Sequence, residues 1–458
     1  MSQRLYFGTD GVRGVAGEHP MTATFALHLG VATAELVRRE GGGHPHVVIG
    51  MDTRRSGPML AHALAAGLAS RGADVTWLGV VPTPAVSYLT RELDADAGIV
   101  VSASHNPFAD NGIKLFNHQG EKLPDEQEAK LEELIQRHGD GNGDSGLSQV
   151  TGSQVGGFRR LPRDGNSGND ASTYTAHLLK SAPYLDGMKV VLDCANGAGH
   201  LIAPQVFGKL GARLDVIHAA PDGENINVSC GSTAPDAITR KVLDGGFDVG
   251  ITFDGDADRV LLIDRRGRLV SGDHMLAICA VARGEKEIVA TQMSNLGMER
   301  FLAERGISVR RVQVGDRYVF EELRREGLRL GGEQSGHVLF LDKAPTGDGI
   351  LTALQVLSAV RQSNKSLEQW MDDIPVYPQL LLNVEVPAAQ RDVVAQDPAV
   401  AAEVSAAEAE LGADGRVYLR PSGTEPLVRV MVEGRDEAQV RVLAEKVAAA
   451  VRSVAQVA

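Results

Sequence analysis

The sequence predicts three related α/β domains with mixed sheets, followed by a smaller C-terminal α+β domain. Three observations lead there. A unit of helix, glycine and strand occurs three times along the chain, the signature of a repeated supersecondary element. After Ile374-Pro375 the order changes to strand, helix, strand, strand, helix. A length of 458 residues exceeds one ordinary domain, and 52 glycines with only 4% aromatic residues suit a loop-rich α/β chain.

In the first unit an apolar strand at 47–49 leads to a helix at 58–70, Gly72 and a strand at 74–81. In the second, a strand at 189–193 leads to a helix at 200–210, Gly211 and a strand at 213–218. The third shows a helix at 296–305, Gly306 and a strand at 307–314, with no clear opening strand. Each glycine falls where a helix ends in the left-handed conformation, which glycine adopts without a Cβ penalty. The segment 137–172, dense in Gly, Asp, Asn and Ser, reads as a linker. The last part reads as a strand at 380–386, a helix at 398–411, strands around 417–419 and 427–432, and a helix from Glu437. These readings divide the chain at 1–153, 154–258, 259–374 and 375–458.

Composition narrows the function. Hydrophobic residues at 43% and charged ones at 23% describe a soluble globular protein. Lys and Arg total 46 against 59 Asp and Glu, a formal charge of −13 that disfavours nucleic acid or an anionic membrane as partner. An anionic substrate would then need a locally basic lining. Cys194, Cys230 and Cys279 are far apart and odd in number, which points to a reduced, cytoplasmic setting. The first residues contain no apolar signal core, and nowhere do 18 apolar residues run together, so neither secretion nor a membrane span is expected.

Several loops carry chemistry. Val101-Ser102-Ala103-Ser104-His105-Asn106-Pro107 follows the apolar run 97–101, and Asn106-Pro107 bars a helix directly after it. Ser104 is therefore expected on a loop at a strand's C-terminal edge, where open α/β sheets bind ligands. A serine beside a histidine also describes an ordinary turn. Asp254-Gly255-Asp256-Ala257-Asp258 sets three carboxylates at alternate positions between two apolar strands, a donor set that favours Mg²⁺ or Ca²⁺ over zinc. An EF-hand would place Gly and Glu where Arg259 and Arg265 stand, so a calcium loop of that kind is excluded.

Gly331-Gly332-Glu333-Gln334-Ser335-Gly336-His337 brackets short polar side chains with glycine, which suits close approach to a polyhydroxylated ligand as well as a plain turn. Arg420-Pro421-Ser422-Gly423-Thr424 combines a guanidinium, two hydroxyls and a glycine, the content of an anion cradle or of a hairpin turn. It lacks the Gly-Lys-Ser/Thr ending of a Walker A loop. Gly8-Thr9-Asp10-Gly11-Val12-Arg13-Gly14 and Lys114 add cations near the same strands.

Together, in this order and spacing, the loops resemble those of the α-D-phosphohexomutase family, and the resemblance spans nearly the whole chain. It implies four domains that each give one loop to a central cleft. Ser104 would be the phosphorylated nucleophile. One Mg²⁺ would be held by Asp254, Asp256, Asp258 and the phosphoserine at position 104. Arg259, Glu333, Ser335, Arg420, Ser422, Gly423, Thr424 and Arg429 would bind substrate. Lys114, His105, Arg13 and His337 would make the proton transfers and transition-state contacts.

Gln334, the opening 7–14 and the closing 427–434 are similar to the branch of the family that acts on glucosamine phosphate. The implied reaction is exchange of the 6- and 1-phosphates through a bisphosphorylated sugar, in the route to UDP-N-acetylglucosamine, by a cytoplasmic enzyme that forms a homodimer. The alternatives are the same chemistry on mannose or glucose phosphates, a silent sugar-phosphate binder, and a metal-dependent phosphatase. Phosphoryl transfer depends chiefly on positioning and charge stabilisation, which a metal with Arg and Lys provides. A mobile last domain, hinged near Ile374-Pro375, would keep water from the phosphoserine.

Overall fold

The structure, a computed structural model, describes residues 5–8, 10–38, 43–139, 154–160, 171–422 and 425–457. The three repeated units end their helices alike. Gly72, Gly211 and Gly306 all have positive φ, at 84°, 90° and 71°. The following residue then donates its N–H to the carbonyl five positions back: Ala73 to Leu68, Ala212 to Phe207 and Ile307 to Leu302. This is the Schellman arrangement, which satisfies carbonyls that a helix end leaves open and turns the chain into the next strand.

The first sheet has seven strands, in the order Phe7–Gly8, Gly11–Val15, Asp110–Asn117, Ala97–Val101, His46–Met51, Asp74–Val80 and Phe158–Arg160. Its centre is parallel, and the strands on the Asp110–Asn117 side are antiparallel, so the sheet is mixed as expected. The fully buried strand Ala97–Val101 ends with its carboxyl edge open to the loop that carries Ser104.

The second sheet runs Leu269–Val270, Val260–Asp264, Val249–Phe253, Lys189–Asp193, Arg213–Ile217. Phe253 pairs with Val260, so Asp254 to Arg259 form the tip of a buried hairpin. The third sheet runs Ser308–Val312, Glu287–Thr291, Leu330–Gly332, Val338–Phe340. Glu287–Thr291 is the opening strand that the sequence did not reveal. The last domain has three antiparallel strands, Gln379–Glu385, Leu427–Gly434 and Gly415–Pro421, beneath the helices Pro398–Leu411 and Glu437–Val457.

Two expected boundaries move. Phe158–Arg160 extends the first sheet beside Asp74–Val80, so a division at 153/154 cuts off a strand and the 137–172 stretch is not all linker. A division at 258/259 would split the hairpin of the second sheet, which continues to Val270. In both places strand pairing settles what glycine content and motif position left open.

Apolar packing ties the first three units together. One continuous core includes Val100 and Phe116, Ile251 and Phe253, and Phe340 and Ile350, one pair from each sheet's unit. Tyr174 donates from the second unit to Asp348 at 2.8 Å in the third. The last domain has its own core, built on Val428, Val430, Val432, Leu443 and Val447. Its joint is pinned: Tyr377 exchanges two 2.9 Å hydrogen bonds with Asn295, and Arg416 donates to the carbonyls of Gln292 and Ser294.

Candidate active site

Ser104 sits at φ 52°, a left-handed conformation that costs a serine about 1–3 kcal/mol and persists only where its surroundings impose it. They do. Arg54 is fully buried and donates to the carbonyls of Ser104 (3.0 Å), Asn106 (2.9 Å), Asp110 (3.0 Å) and Pro107. Its Nε is held by Asp52 Oδ2 at 2.9 Å, and that carboxylate also accepts from Ser102 Oγ at 2.6 Å. Ser102 Oγ in turn accepts the Ser104 N–H at 3.0 Å. From the second unit, Asn227 donates to the carbonyls of Ser104 and Asn106 at 2.9 and 3.2 Å. Gly255 lies so close that a Cβ there would stand 2.5 Å from the Ser104 carbonyl oxygen.

The side chain that this frame aims is buried, and its Oγ donates to Asp254 Oδ2 at 2.6 Å. Asp254, Asp256 and Asp258 are all buried, with one carboxylate oxygen of each within 4.8 Å of the others. Asp256 Oδ1 and Asp258 Oδ1 are buried without a hydrogen-bond partner among the described residues. Such orphaned acceptors, beside an oxygen-only donor set, fit one hard divalent cation. Burial, reinforced by the charges of Asp258 and Asp256, holds the Asp254 carboxyl well above the usual range. For Asp258 burial acts in the same sense but is outweighed by Lys114, His337 and Arg259, and its pKa falls.

Cations close the site from the first and third units. Lys114, 2% exposed, reaches Asp256 Oδ2 and Asp10 Oδ2 at 3.0 Å and Asp258 Oδ2 at 3.4 Å. Burial disfavours its ammonium, yet these carboxylates raise its pKa. Arg13 pairs with Asp10 and donates to Asn106 Oδ1 at 3.3 Å. His337 lies between Asp258 Oδ1 at 3.7 Å and Asp316 Oδ2 at 3.5 Å; burial opposes its charge, and the two acids with Glu333 outweigh it and raise its pKa. His105 Nδ1 is 3.4 Å from Ser104 Oγ and 3.0 Å from an Arg259 guanidinium nitrogen. Burial, with Arg259 and Arg13, pushes it down to about 4, so it stays neutral at pH 7.

The structure thus brings together Ser104, His105, Arg13, Lys114, the three aspartates, Arg259 and His337. Glu333 is adjacent: its backbone N–H donates to the His337 carbonyl at 3.0 Å, and its carboxylate accepts from the Gly315 N–H at 3.1 Å. Ser335 is exposed on the same turn. Arg420, Ser422 and Arg429 stand on the hairpin of the last domain. Ser422 and Arg429 bond Glu425, and among the described residues none of the three bonds the Ser104–Asp254 cluster. Gly423 and Thr424 lie outside the described residues.

Sequence reasoning missed Asp52, Arg54, Thr83, Asn227 and Asp316. Thr83 Oγ1 donates to Asp256 Oδ2 at 2.7 Å, and Lys122 bridges Asp10 and Asp316 across the first and third units. The available signal was position: Asp52 to Arg54 follow the buried strand His46–Met51 at the sheet edge that also carries Ser104.

Comparisons with known proteins agree with the four-unit organisation of the chain. Models of the phosphoglucomutase/phosphomannomutase family match residues 4–141 (α/β/α domain I), 172–267 (α/β/α domain II), 271–377 (α/β/α domain III) and 381–450 (C-terminal domain). The phosphoglucosamine mutase of Deinococcus radiodurans is 50% identical over 448 residues, 98% of each chain. That of Thermus thermophilus is 49% identical over 448 residues, 97% of this chain and 98% of its own. In fold, the chain is similar to a crystal structure of a phosphoglucomutase/phosphomannomutase family protein from Burkholderia thailandensis, with a TM-score of 0.79 at 24% identity, covering 97% of both chains.

Proposed function

This chain belongs to the phosphoglucomutase/phosphomannomutase, or α-D-phosphohexomutase, family, and we propose that it interconverts glucosamine 6-phosphate and glucosamine 1-phosphate with Ser104 as the phosphoryl carrier. The observation that carries this reading is the contact of a buried, conformationally imposed serine with the first of three converging carboxylates. Relatives near half identical over almost the whole chain support the amino sugar as substrate.

In the phosphorylated enzyme, the bond from Ser104 Oγ to phosphorus breaks as the free sugar hydroxyl bonds to that phosphorus, giving a 1,6-bisphosphate. The hydroxyl gives up its proton to a group of the site and the departing Ser104 oxygen takes one up; Lys114, His105, Arg13 and His337 are the candidates for these transfers and for transition-state contacts, and His105 Nδ1 stands 3.4 Å from Ser104 Oγ. Transfer from the other end of the sugar returns a phosphoryl group to Ser104, so phosphate moves from position 6 to position 1 without net gain or loss. Mg²⁺, when held by Asp254, Asp256 and Asp258 with an oxygen on Ser104, supplies charge neutralisation to the transferring group. Arg13, Lys114 and Arg259 add fixed positive charge that needs no reorganisation during transfer. Glu333 and Ser335 bind the sugar hydroxyls, and Arg420, Ser422, Gly423, Thr424 and Arg429 grip the phosphate that is not reacting. Closure of the last domain, which has its own apolar core, would exclude water.

The product then feeds the route to UDP-N-acetylglucosamine. A cytoplasmic setting is supported by three unpaired, buried cysteines, and a homodimer completes the reading. Intact mass and peptide mapping test the scheme. A phosphoryl group is expected on Ser104, and Ser104→Ala should lose both that mass and the isomerisation of glucosamine 6-phosphate; a fully active Ser104→Ala enzyme would refute it.

A further inference from the structure

A second convergence of donor atoms lies in the second unit, apart from the aspartate loop. Asp193 ends the strand Lys189–Asp193, and His218 directly follows the neighbouring parallel strand Arg213–Ile217. Cys230 comes from the loop that returns to the same edge. One oxygen of Asp193, one ring nitrogen of His218 and Cys230 Sγ lie within 4.8 Å of one another.

We propose that Asp193, His218 and Cys230 form a metal site for a thiophilic divalent ion, Zn²⁺ by ligand class, distinct from the oxygen-only site at Asp254. Three features support it. His218 Nδ1 is 3.0 Å from Asp193 Oδ1, yet this buried nitrogen makes no hydrogen bond among the described residues. The ring nitrogen and the carboxylate stand at ion-pair distance without the alignment of a hydrogen bond, so an ion beside Cys230 could take both as ligands.

The carboxylate is itself oriented. Its Oδ1 accepts from the Ala195 N–H at 2.9 Å and its Oδ2 from the Gly231 N–H at 3.1 Å, the support that metal-ligating carboxylates usually have. The His218 side chain is 30% exposed while Asp193 and Cys230 are fully buried, so the ring is the part of the set nearest solvent. Sulfur, nitrogen and oxygen donors select zinc over magnesium, and bond lengths of about 2.0–2.3 Å require only a small inward movement of the three groups.

Coordination forms a metal–sulfur bond and releases the thiol proton. Burial, then the charge of Asp193, raises the free Cys230 thiol to about 12, so each bound ion should release one proton at neutral pH. The consequence reaches the catalytic loop. Asn227, three residues before Cys230, holds the Ser104 carbonyl at 2.9 Å, and its own N–H donates to the Ala195 carbonyl at 2.9 Å. An ion at Cys230 would stiffen the segment that positions Ser104.

The test titrates the metal-free full-length protein with Co²⁺ and follows the near-ultraviolet thiolate-to-cobalt band together with proton release. Wild type and the Asp254→Asn/Asp256→Asn double variant should both show the band, with one proton released per ion that generates it. Cys230→Ser should lose it, and His218→Ala, which keeps the thiol, should weaken cobalt binding by roughly tenfold or more. Circular dichroism of the metal-free variants checks their fold, and His218→Ala alone decides if Cys230→Ser does not fold. Cobalt uptake by wild type without a thiolate band, a band that survives Cys230→Ser, or unchanged affinity in His218→Ala would overturn the proposal.

Discussion

Replacing Arg54 with Met separates the two things this buried guanidinium does. It neutralises Asp52 through a 2.9 Å contact, and it clamps the carbonyls of Ser104, Asn106, Pro107 and Asp110. The burial of Asp52 already raises its pKa against the pull of Arg54. Breaking a buried pair on one side costs about 3–5 kcal/mol, because the other charge stays behind. At about 2–4 °C per kcal/mol, the first thermal transition of Arg54→Met should fall by roughly 6–20 °C. Activity should fall separately, since a loop displaced by about 1 Å costs on the order of 10²-fold in rate. Adding Asp52→Asn removes the stranded charge. The double variant should recover much of the melting temperature but little of the kcat, because the guanidinium's bonds to the loop stay missing and only Asn227 still reaches the Ser104 and Asn106 carbonyls from another unit. Scanning calorimetry and glucosamine 6-phosphate turnover measure the two effects. If Arg54→Met melts with wild type, or the double variant recovers rate along with stability, the clamp reasoning is wrong.

Asn227→Ala removes two bonds to the Ser104 loop, at 2.9 and 3.2 Å, and should cost about 1–3 kcal/mol. The loss should appear mainly in kcat; steady-state kinetics with an unchanged kcat and a raised KM would contradict it. Asp273 is buried at the start of the helix Gly272–Arg283, and burial raises its pKa from 3.8 to about 6. The folded state therefore holds its proton longer than the unfolded chain. Its neutral form leaves stability intact below about pH 4, and a penalty of about 3 kcal/mol develops as pH rises through 6. The melting temperature of Asp273→Asn relative to wild type should accordingly rise between pH 4 and 6 and level off above; a pH-independent difference would exclude this cause.

What could be read from the sequence, and what could not, follows from where each residue finds its partners. Ser104 with its flanking Asn106-Pro107, and the acids at 254, 256 and 258, announce themselves because their chemistry is contained in a few adjacent positions. Helix ends at Gly72, Gly211 and Gly306 were legible for the same local reason. Arg54 was not: its acceptors are main-chain oxygens 50 to 56 residues away, and backbone carbonyls leave no mark in a sequence. Asn227 acts on the same oxygens from another unit, across a separation of 123 residues. Glu287–Thr291 escaped notice because a five-residue strand buried at four of its positions shows no alternation of polar and apolar residues. The Arg420 hairpin carries the composition of an anion cradle, and among the described residues Arg420, Ser422 and Arg429 make no bond to the Ser104–Asp254 cluster that would mark its role.

Charge balance at Ser104 leads to a last expectation. Asp10, Asp254, Asp256, Asp258 and Asp316 face Arg13, Lys114, Lys122 and Arg259, with His337 between two of the acids. Five carboxylates against four or five cations leave the site near neutrality. Phosphorylation of Ser104 replaces the hydroxyl that donates to Asp254 at 2.6 Å with a group of about −1.5 to −2 charge facing the same carboxylate. A divalent cation offsets that addition almost fully, so each should favour the other, and linkage requires the coupling to be reciprocal. Mg²⁺ should therefore bind the phosphorylated enzyme more tightly than the dephosphorylated one, by about 5–150-fold for a typical coupling of 1–3 kcal/mol. Calorimetric titration of the two forms, separated by ion exchange and verified by mass, measures the ratio. Equal affinities would mean that the phosphoryl group does not share the ion with the three aspartates.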